Sequence, residues 1–269
     1  MKVGYRGHSS SKCYKMTQFI CKYSNSSNSF SCSSSSNNNS STNSSNRDDL
    51  RNNILKYSLQ YVKELGWTNE ALVKGMHDAL SHNNSNSSSS GNHQEEYSSL
   101  AHAVVARGPT EMIELFIENK RIHVADVMKS YDNNDINNDQ NDNIIYNSLN
   151  KALNAHIDYL GPYIHTWPGA IALMADPMQV PNSISIMDGI LVDLINYTNI
   201  KTKRMDWYSE RALLLLVYSS VELHMISDTS DNFKDTKSFV ERLLATYIDA
   251  RKSPSMITML SYASRMLFK

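Results

Sequence analysis

Wherever apolar residues gather in this sequence they recur at intervals of three and four, the spacing that lines one face of an α-helix. Ile54, Leu55, Ser58, Leu59, Val62 and Leu65 share one such face, and Gly66 supplies a C-terminal stop. Thr68 can cap a second helix that carries Ala71, Leu72 and Met76 inward. A short helix over 99–106 ends at Arg107-Gly108-Pro109, and Thr110 caps a longer one bearing Met112, Ile113, Leu115, Phe116 and Ile122. Ile145, Leu149, Ala152, Leu153, His156, Ile157 and Leu160 form the next stripe. Gly161-Pro162 and Trp167-Pro168 then break the chain into short pieces, with Pro168 suited to a helix start. Residues 184–197 are amphipathic, whereas 207–225 are apolar on nearly every side and are predicted to form the central buried helix. Phe239, Val240, Leu243, Leu244, Tyr247 and Ile248 mark a packed outer helix. No alternating pattern of useful length occurs. Nine glycines and six prolines in 269 residues are too few turn-formers for a many-stranded sandwich or barrel. The chain is predicted to be all-α.

The formal net charge of −1 conceals a split. Residues 1–46 carry five bases, no acid and 16 serines, and the other 223 residues carry 21 bases against 27 acids. The first segment has the composition of an organellar transit peptide followed by a Ser/Asn-rich tract, although polar low-complexity expansion produces the same signature. All three cysteines, Cys13, Cys21 and Cys32, lie within it, so the remainder offers no disulfide framework and no thiolate metal site. Two further polar stretches, near 83–94 and 131–143, read as loop inserts that cannot bury enough apolar surface to offset their ordering. A helical domain over 47–250 is left, followed by a separate piece at 251–269. There Met256, Met259, Leu260, Met266, Leu267 and Phe268 make an apolar face bordered by Lys252, Arg265 and Lys269. An interfacial membrane helix has this pattern, and so does a helix docked on the bundle or on a second copy.

The nine histidines form no metal-ligand spacing. Glu222 and His224 lie about 200° apart around a helix and do not share a face. His156 falls within an apolar stripe and reads as a satisfied core residue. With no phosphate-cradling glycine loop, no Gly-x-Ser-x-Gly elbow and no thiol outside the first segment, no catalytic residue and no cofactor are assigned. The N-terminal order of helix, Gly66-Trp67-Thr68 turn, short helix and Gly108-Pro109 start has the layout of a TetR-type helix-turn-helix. The would-be recognition helix at 95–106 presents two acids and no base, where a major-groove reader needs bases and amides. A DNA-binding transcription regulator is therefore the secondary reading.

One stretch is more specific: Asp206-Trp207-Tyr208-Ser209-Glu210-Arg211-Ala212, followed by Tyr218, Glu222-Leu223 and Asp228-Thr229-Ser230-Asp231-Asn232-Phe233. With Gly66-Trp67-Thr68-Asn69-Glu70-Ala71-Leu72, Pro162-Tyr163-Ile164-His165-Thr166-Trp167-Pro168 and Val180-Pro181-Asn182-Ser183, it resembles the family of the ninth Coq protein, an accessory protein of mitochondrial coenzyme Q (ubiquinone) biosynthesis. The resemblance implies a TetR-like helical bundle with a degenerate helix-turn-helix, no chemistry of its own, and an isoprenoid or phospholipid held in the bundle. It also implies a homodimer attached peripherally to the matrix side of the inner mitochondrial membrane through the C-terminal amphipathic helix. The partner it implies is the di-iron demethoxyubiquinone hydroxylase, the seventh Coq protein, with Trp207, Tyr208, Arg211 and Leu194 as the partner-facing residues. Leu213, Leu214, Leu216, Val217, Ile157 and Leu160 are the expected lipid lining. Asp206, Arg204 and Ile195 depart from the family's usual residues, which alters the rim of the partner patch and leaves its aromatic centre intact.

Overall fold

A computed structural model describes residues 41–83, 100–101, 103–130, 142–198 and 204–251. The architecture below is that of the compact unit from Ser44 onward, whose first helix starts three residues ahead of it. Its α-helices are α1 (Ser41–Leu65), α2 (Asn69–Asn83), α3 (Pro109–Lys129), α4 (Asp142–Leu160), α5 (Trp167–Met174), α6 (Val180–Thr198), α7 (Arg204–Ser227) and α8 (Lys234–Arg251). Single 3-10 turns at Gly161–Tyr163 and Asp231–Phe233 precede α5 and α8. No strand occurs among the described residues, and the all-α expectation holds. None of the described helices is long and apolar enough to cross a membrane. Of the expected amphipathic piece at 251–269 only Arg251, the last residue of α8, is described; Met256, Met259, Leu260, Met266, Leu267 and Phe268 lie outside the described residues.

The turn between α1 and α2 follows the local chemistry. Gly66 takes φ +69, a left-handed conformation that costs glycine nothing, and its N–H bonds the Val62 carbonyl at 3.0 Å. Thr68 Oγ1 then accepts the Ala71 N–H at 3.3 Å. The returning helix comes unusually close: a Cβ built on Gly75 would lie 2.1 Å from Ser58 Oγ and 2.4 Å from its backbone nitrogen. The start of α3 differs from expectation. Thr110 does not cap it; Gly108 occupies the cap position and Pro109 opens the helix. The Glu111 carboxylate instead reaches back to accept the Arg107 N–H at 3.0 Å and also pairs with Arg51 of α1 at 2.7 Å. Ile122 is half exposed rather than inward, because the buried face of α3 runs through Ile113, Phe116, Ile117, Lys120 and Val124.

The central helix is α4, and the expectation that 207–225 would take that place is corrected. Packed against α3, α6 and α8, α4 buries Ile145, Leu149, Ala152, Leu153, Ile157 and Leu160. Helix α7 lies outside it against α6 and α8 and leaves Tyr208, Leu215 and Leu223 exposed. Its run of leucines is apolar around the axis, but the buried apolar side chains are Leu213, Leu214, Val217, Tyr218, Val221 and Met225, on the inward side. At one end of the bundle Phe116 stands among Trp67, Tyr163 and Trp167, ring centroids 5.4, 4.8 and 5.6 Å away, locking the α1–α2 turn to α3 and α5.

Candidate ligand cavity and partner surface

Lys120 occupies a position on α3 where helical spacing demands an apolar residue, and its side chain is 1% exposed. It is accommodated because α7 brings two acceptors to it. Nζ donates to the Tyr218 hydroxyl at 2.8 Å and to Glu222 Oε1 at 3.3 Å, while Tyr218 donates to the same carboxylate oxygen at 2.7 Å. Tyr218 and Glu222 lie four residues apart and so face the same way. The ammonium also stands 5.1 Å from the centre of the Trp167 ring. Burial lowers the Lys120 pKa, opposed by the Glu222 charge. Burial raises that of Tyr218 well above the usual phenol value, and Glu222 adds to the effect.

His156 of α4 meets Tyr218 edge to face, ring centroids 5.5 Å apart. It is a buried core histidine, as its apolar stripe predicts, but not a satisfied one: its Nδ1 has no hydrogen-bond partner among the described residues. Burial, and then the nearby positive charge of Lys120, Arg121 and His123, hold its pKa well below 6.5, so the ring is neutral. A small cavity lies between α3, α4 and α7, walled by Lys120, His156, Tyr218 and Glu222 and by Leu153, Ile157, Leu160, Val221 and Met225. The centre of a water molecule can occupy about 10 Å³ of it, the scale of one water. Of the expected lipid lining, Ile157 and Leu160 form part of this wall. Leu213, Leu214 and Val217 are buried elsewhere in the core and Leu216 is half-buried, so the six are not gathered around one space. Of the polar members the sequence reading misses Lys120, although a lysine in step with Ile113, Phe116, Ile117 and Val124 is itself the signal.

The expected partner residues separate. Tyr208, near the start of α7, is 74% exposed. Arg211, one turn on, forms an ion pair with Asp188 of α6. Leu194 is corrected: at 1% exposure it belongs to the core with Ile190 and Leu191 on the inward face of α6, where no partner could touch it. The Trp207 side chain lies outside what is described. Glu222 and His224 diverge as their spacing requires, Glu222 toward Lys120 and His224 to a ring stack on Phe239 at 4.4 Å. No group of three or more His, Cys, Asp or Glu side chains suited to a metal occurs among the described residues.

The profile of the COQ9 family matches residues 180–251, which are α6 to α8, the helices that carry Tyr208, Arg211, Tyr218 and Glu222. The match continues toward the N-terminus in individual relatives. The mitochondrial ubiquinone biosynthesis protein COQ9 of Xenopus tropicalis is 24% identical over 198 residues, 74% of this chain and 57% of its own length. The chain is similar to COQ9 proteins. The Homo sapiens COQ9 protein is 25% identical over 72% of this chain and 56% of its own length. A probable Dictyostelium discoideum COQ9 protein is 27% identical, covering 72% of this chain and 58% of its own. The match thus spans little more than half the length of these COQ9 relatives. All three are named as mitochondrial, which supports a mitochondrial location for this chain.

Proposed function

We propose that the chain serves ubiquinone biosynthesis without performing chemistry itself, binding a polyprenylated quinone intermediate and presenting it to the demethoxyubiquinone hydroxylase at the inner mitochondrial membrane. The observation that carries the reading is the COQ9 match over 180–251, to helices of which α7 leaves Tyr208, Leu215 and Leu223 exposed. Tyrosine is among the residues enriched at the energetic centres of protein interfaces. Trp207 and Arg211 extend the docking patch on either side of it in sequence. Leu194 is not part of it.

Lipid capture draws on apolar burial, about 0.8 kcal/mol for each methylene removed from water, so a few isoprene units accumulate substantial affinity. The bundle is closed around a water-sized space, and a polyprenyl chain enters only if α7 moves away from α3 and α4. The leucines of α7 and the Ile157–Leu160 side of α4 would then be available to it. A TetR-type ancestry for the first helices is consistent with the capped turn at Gly66 and Thr68, and an apolar C-terminal face at Met256, Met259, Leu260, Met266, Leu267 and Phe268 would hold the protein at the bilayer.

Mass spectrometry of lipids that co-purify with the folded chain tests the reading. An isoprenoid quinone or a phospholipid is the expected species. Absence of any lipid, together with unchanged quinone synthesis after gene deletion, would overturn it. Tight, sequence-dependent DNA binding at physiological salt would favour the regulator instead.

A further inference from the structure

Helix α7 is joined to its neighbours by contacts of unlike kinds. To α8 it is pinned at both ends. Near its start Glu210, 6% exposed, accepts from the Tyr247 hydroxyl and pairs with Arg251 at 3.0 Å. At the other end Asp228 accepts the Ser230 and Thr236 N–H groups at 2.7 and 2.8 Å, and His224 meets the Thr236 hydroxyl at 3.2 Å. The tie to α6 is an ion pair of Arg211 with the half-exposed Asp188. Toward α3, the polar contacts of α7 among the described residues are those of one side chain, Lys120, with Tyr218 and Glu222.

That last contact is the weak side of the helix. Closed, it holds an ammonium and a carboxylate whose mutual attraction does little more than offset their lost hydration. The closed state also leaves the buried Nδ1 of His156, beside Tyr218, without a partner among the described residues. If α7 rolls outward about α8, water reaches Lys120, Glu222 and His156 together and satisfies all three. The cost of that motion is apolar, because Val221 and Met225 of α7 part from Leu153, Ile157 and Leu160 of α4. Exposing these side chains to water is unfavourable in proportion to their area, and an apolar chain laid between them removes the cost. Polar groups thus favour the open helix and apolar groups the closed one.

Resting on the lipid-binding reading above, we infer that α7 is a hinged strap: α8 carries its hinge, and the Lys120–Tyr218–Glu222 cluster is a latch that releases when an apolar chain replaces the contact between α4 and α7. A charged latch suits this use, since both of its charges are stable in water once apart. An apolar contact in the same place would hold α7 down.

Hydrogen–deuterium exchange of the full chain, read by mass spectrometry on peptides from 212–225 and 148–160, tests the latch without any lipid. The α7 amides are expected to exchange about tenfold faster than those of α4, since α7 opens without unfolding of the bundle. Lys120→Met with Glu222→Leu, which puts apolar packing in place of the ion pair, should bring the two within about twofold. Transfer of radiolabelled farnesol from phosphatidylcholine vesicles reads uptake, which the double variant should slow about tenfold. Circular dichroism checks that this variant unfolds cooperatively. Should it not fold, Glu222→Gln, which keeps the shape and removes the charge, should raise both α7 exchange and uptake about tenfold over the parent. Equal exchange of the two helices, an α7-to-α4 ratio untouched by the substitutions, or farnesol uptake at the parent rate by the variant overturns the strap. Fast α7 exchange that responds to the substitutions as expected, with no farnesol taken up by the parent, upholds the latch and overturns the lipid reading instead.

Discussion

Lys120 donates to the Tyr218 hydroxyl at 2.8 Å across 98 residues of sequence, in a part of the core where the lysine side chain is 1% exposed. The contact ties α3 to α7, and Glu222, bonded to both residues, completes it. Removing one partner is expected to be far worse than removing the pair. Glu222→Leu leaves a buried ammonium without its carboxylate and should cost about 3 kcal/mol or more of stability in urea denaturation. Lys120→Met with Glu222→Leu should recover most of the loss, because packed apolar side chains replace two desolvated charges. Equal destabilisation in the single and double variants would contradict this account.

The neutral state of His156 gives the protein an acid sensitivity whose sign is fixed. Its folded pKa is held well below 6.5 by burial and by Lys120, Arg121 and His123, with Glu222 of α7 the nearby acid in the cavity wall. The unfolded chain therefore takes up a proton that the folded chain refuses. Stability contributed here is full above about pH 6.5 and falls as pH drops below it, by at most about 1.4 kcal/mol per pH unit. His156→Phe should flatten that part of the stability profile. A slope unchanged by the substitution would place the sensitivity elsewhere.

Helices α1 and α2 touch backbone to side chain at Gly75. An alanine there would drive its Cβ onto Ser58, including its backbone nitrogen, which no rotamer change relieves. Gly75→Ala should cost about 1–3 kcal/mol by overpacking and lower the melting temperature by several degrees, read by calorimetry. Gly66→Ala, where the obstacle is the φ of +69 with nothing within 4 Å of the new Cβ, should cost about 1 kcal/mol.

Tyr208 is 74% exposed and its loss should leave stability within about 0.5 kcal/mol of the parent. If α7 is the docking surface, Tyr208→Ala weakens association with the hydroxylase by roughly thirtyfold, measurable by calorimetric titration. Leu194→Ala should behave in the opposite way, destabilising the fold by about 2–5 kcal/mol as a core truncation. An inert Tyr208→Ala would remove the strongest support for the docking patch.

The stripes of α4 and α8 were legible because every residue in them meets an apolar neighbour, so spacing and burial coincide. Helix α7 misled for the same reason: a run such as 212–217 has no polar face to show which side is outside, and its sequence fits a central position as well as a peripheral one. Leu194 was placed on the partner surface by resemblance, and only the packing of α6 against α4 shows that its side chain turns inward.

Local chemistry in the sequence determined what local chemistry can. The helical periodicity, the stop at Gly66, the cap at Thr68 and the break at Gly161-Pro162 each depend on residues within a turn or two. The tertiary structure alone decided which helix lies at the centre, and that Lys120, His156 and Tyr218, from three separate helices, share one cavity. Those arrangements depend on how helices stack, where distances in space are unrelated to distances along the chain. The meaning of a buried lysine depends on what stands opposite it.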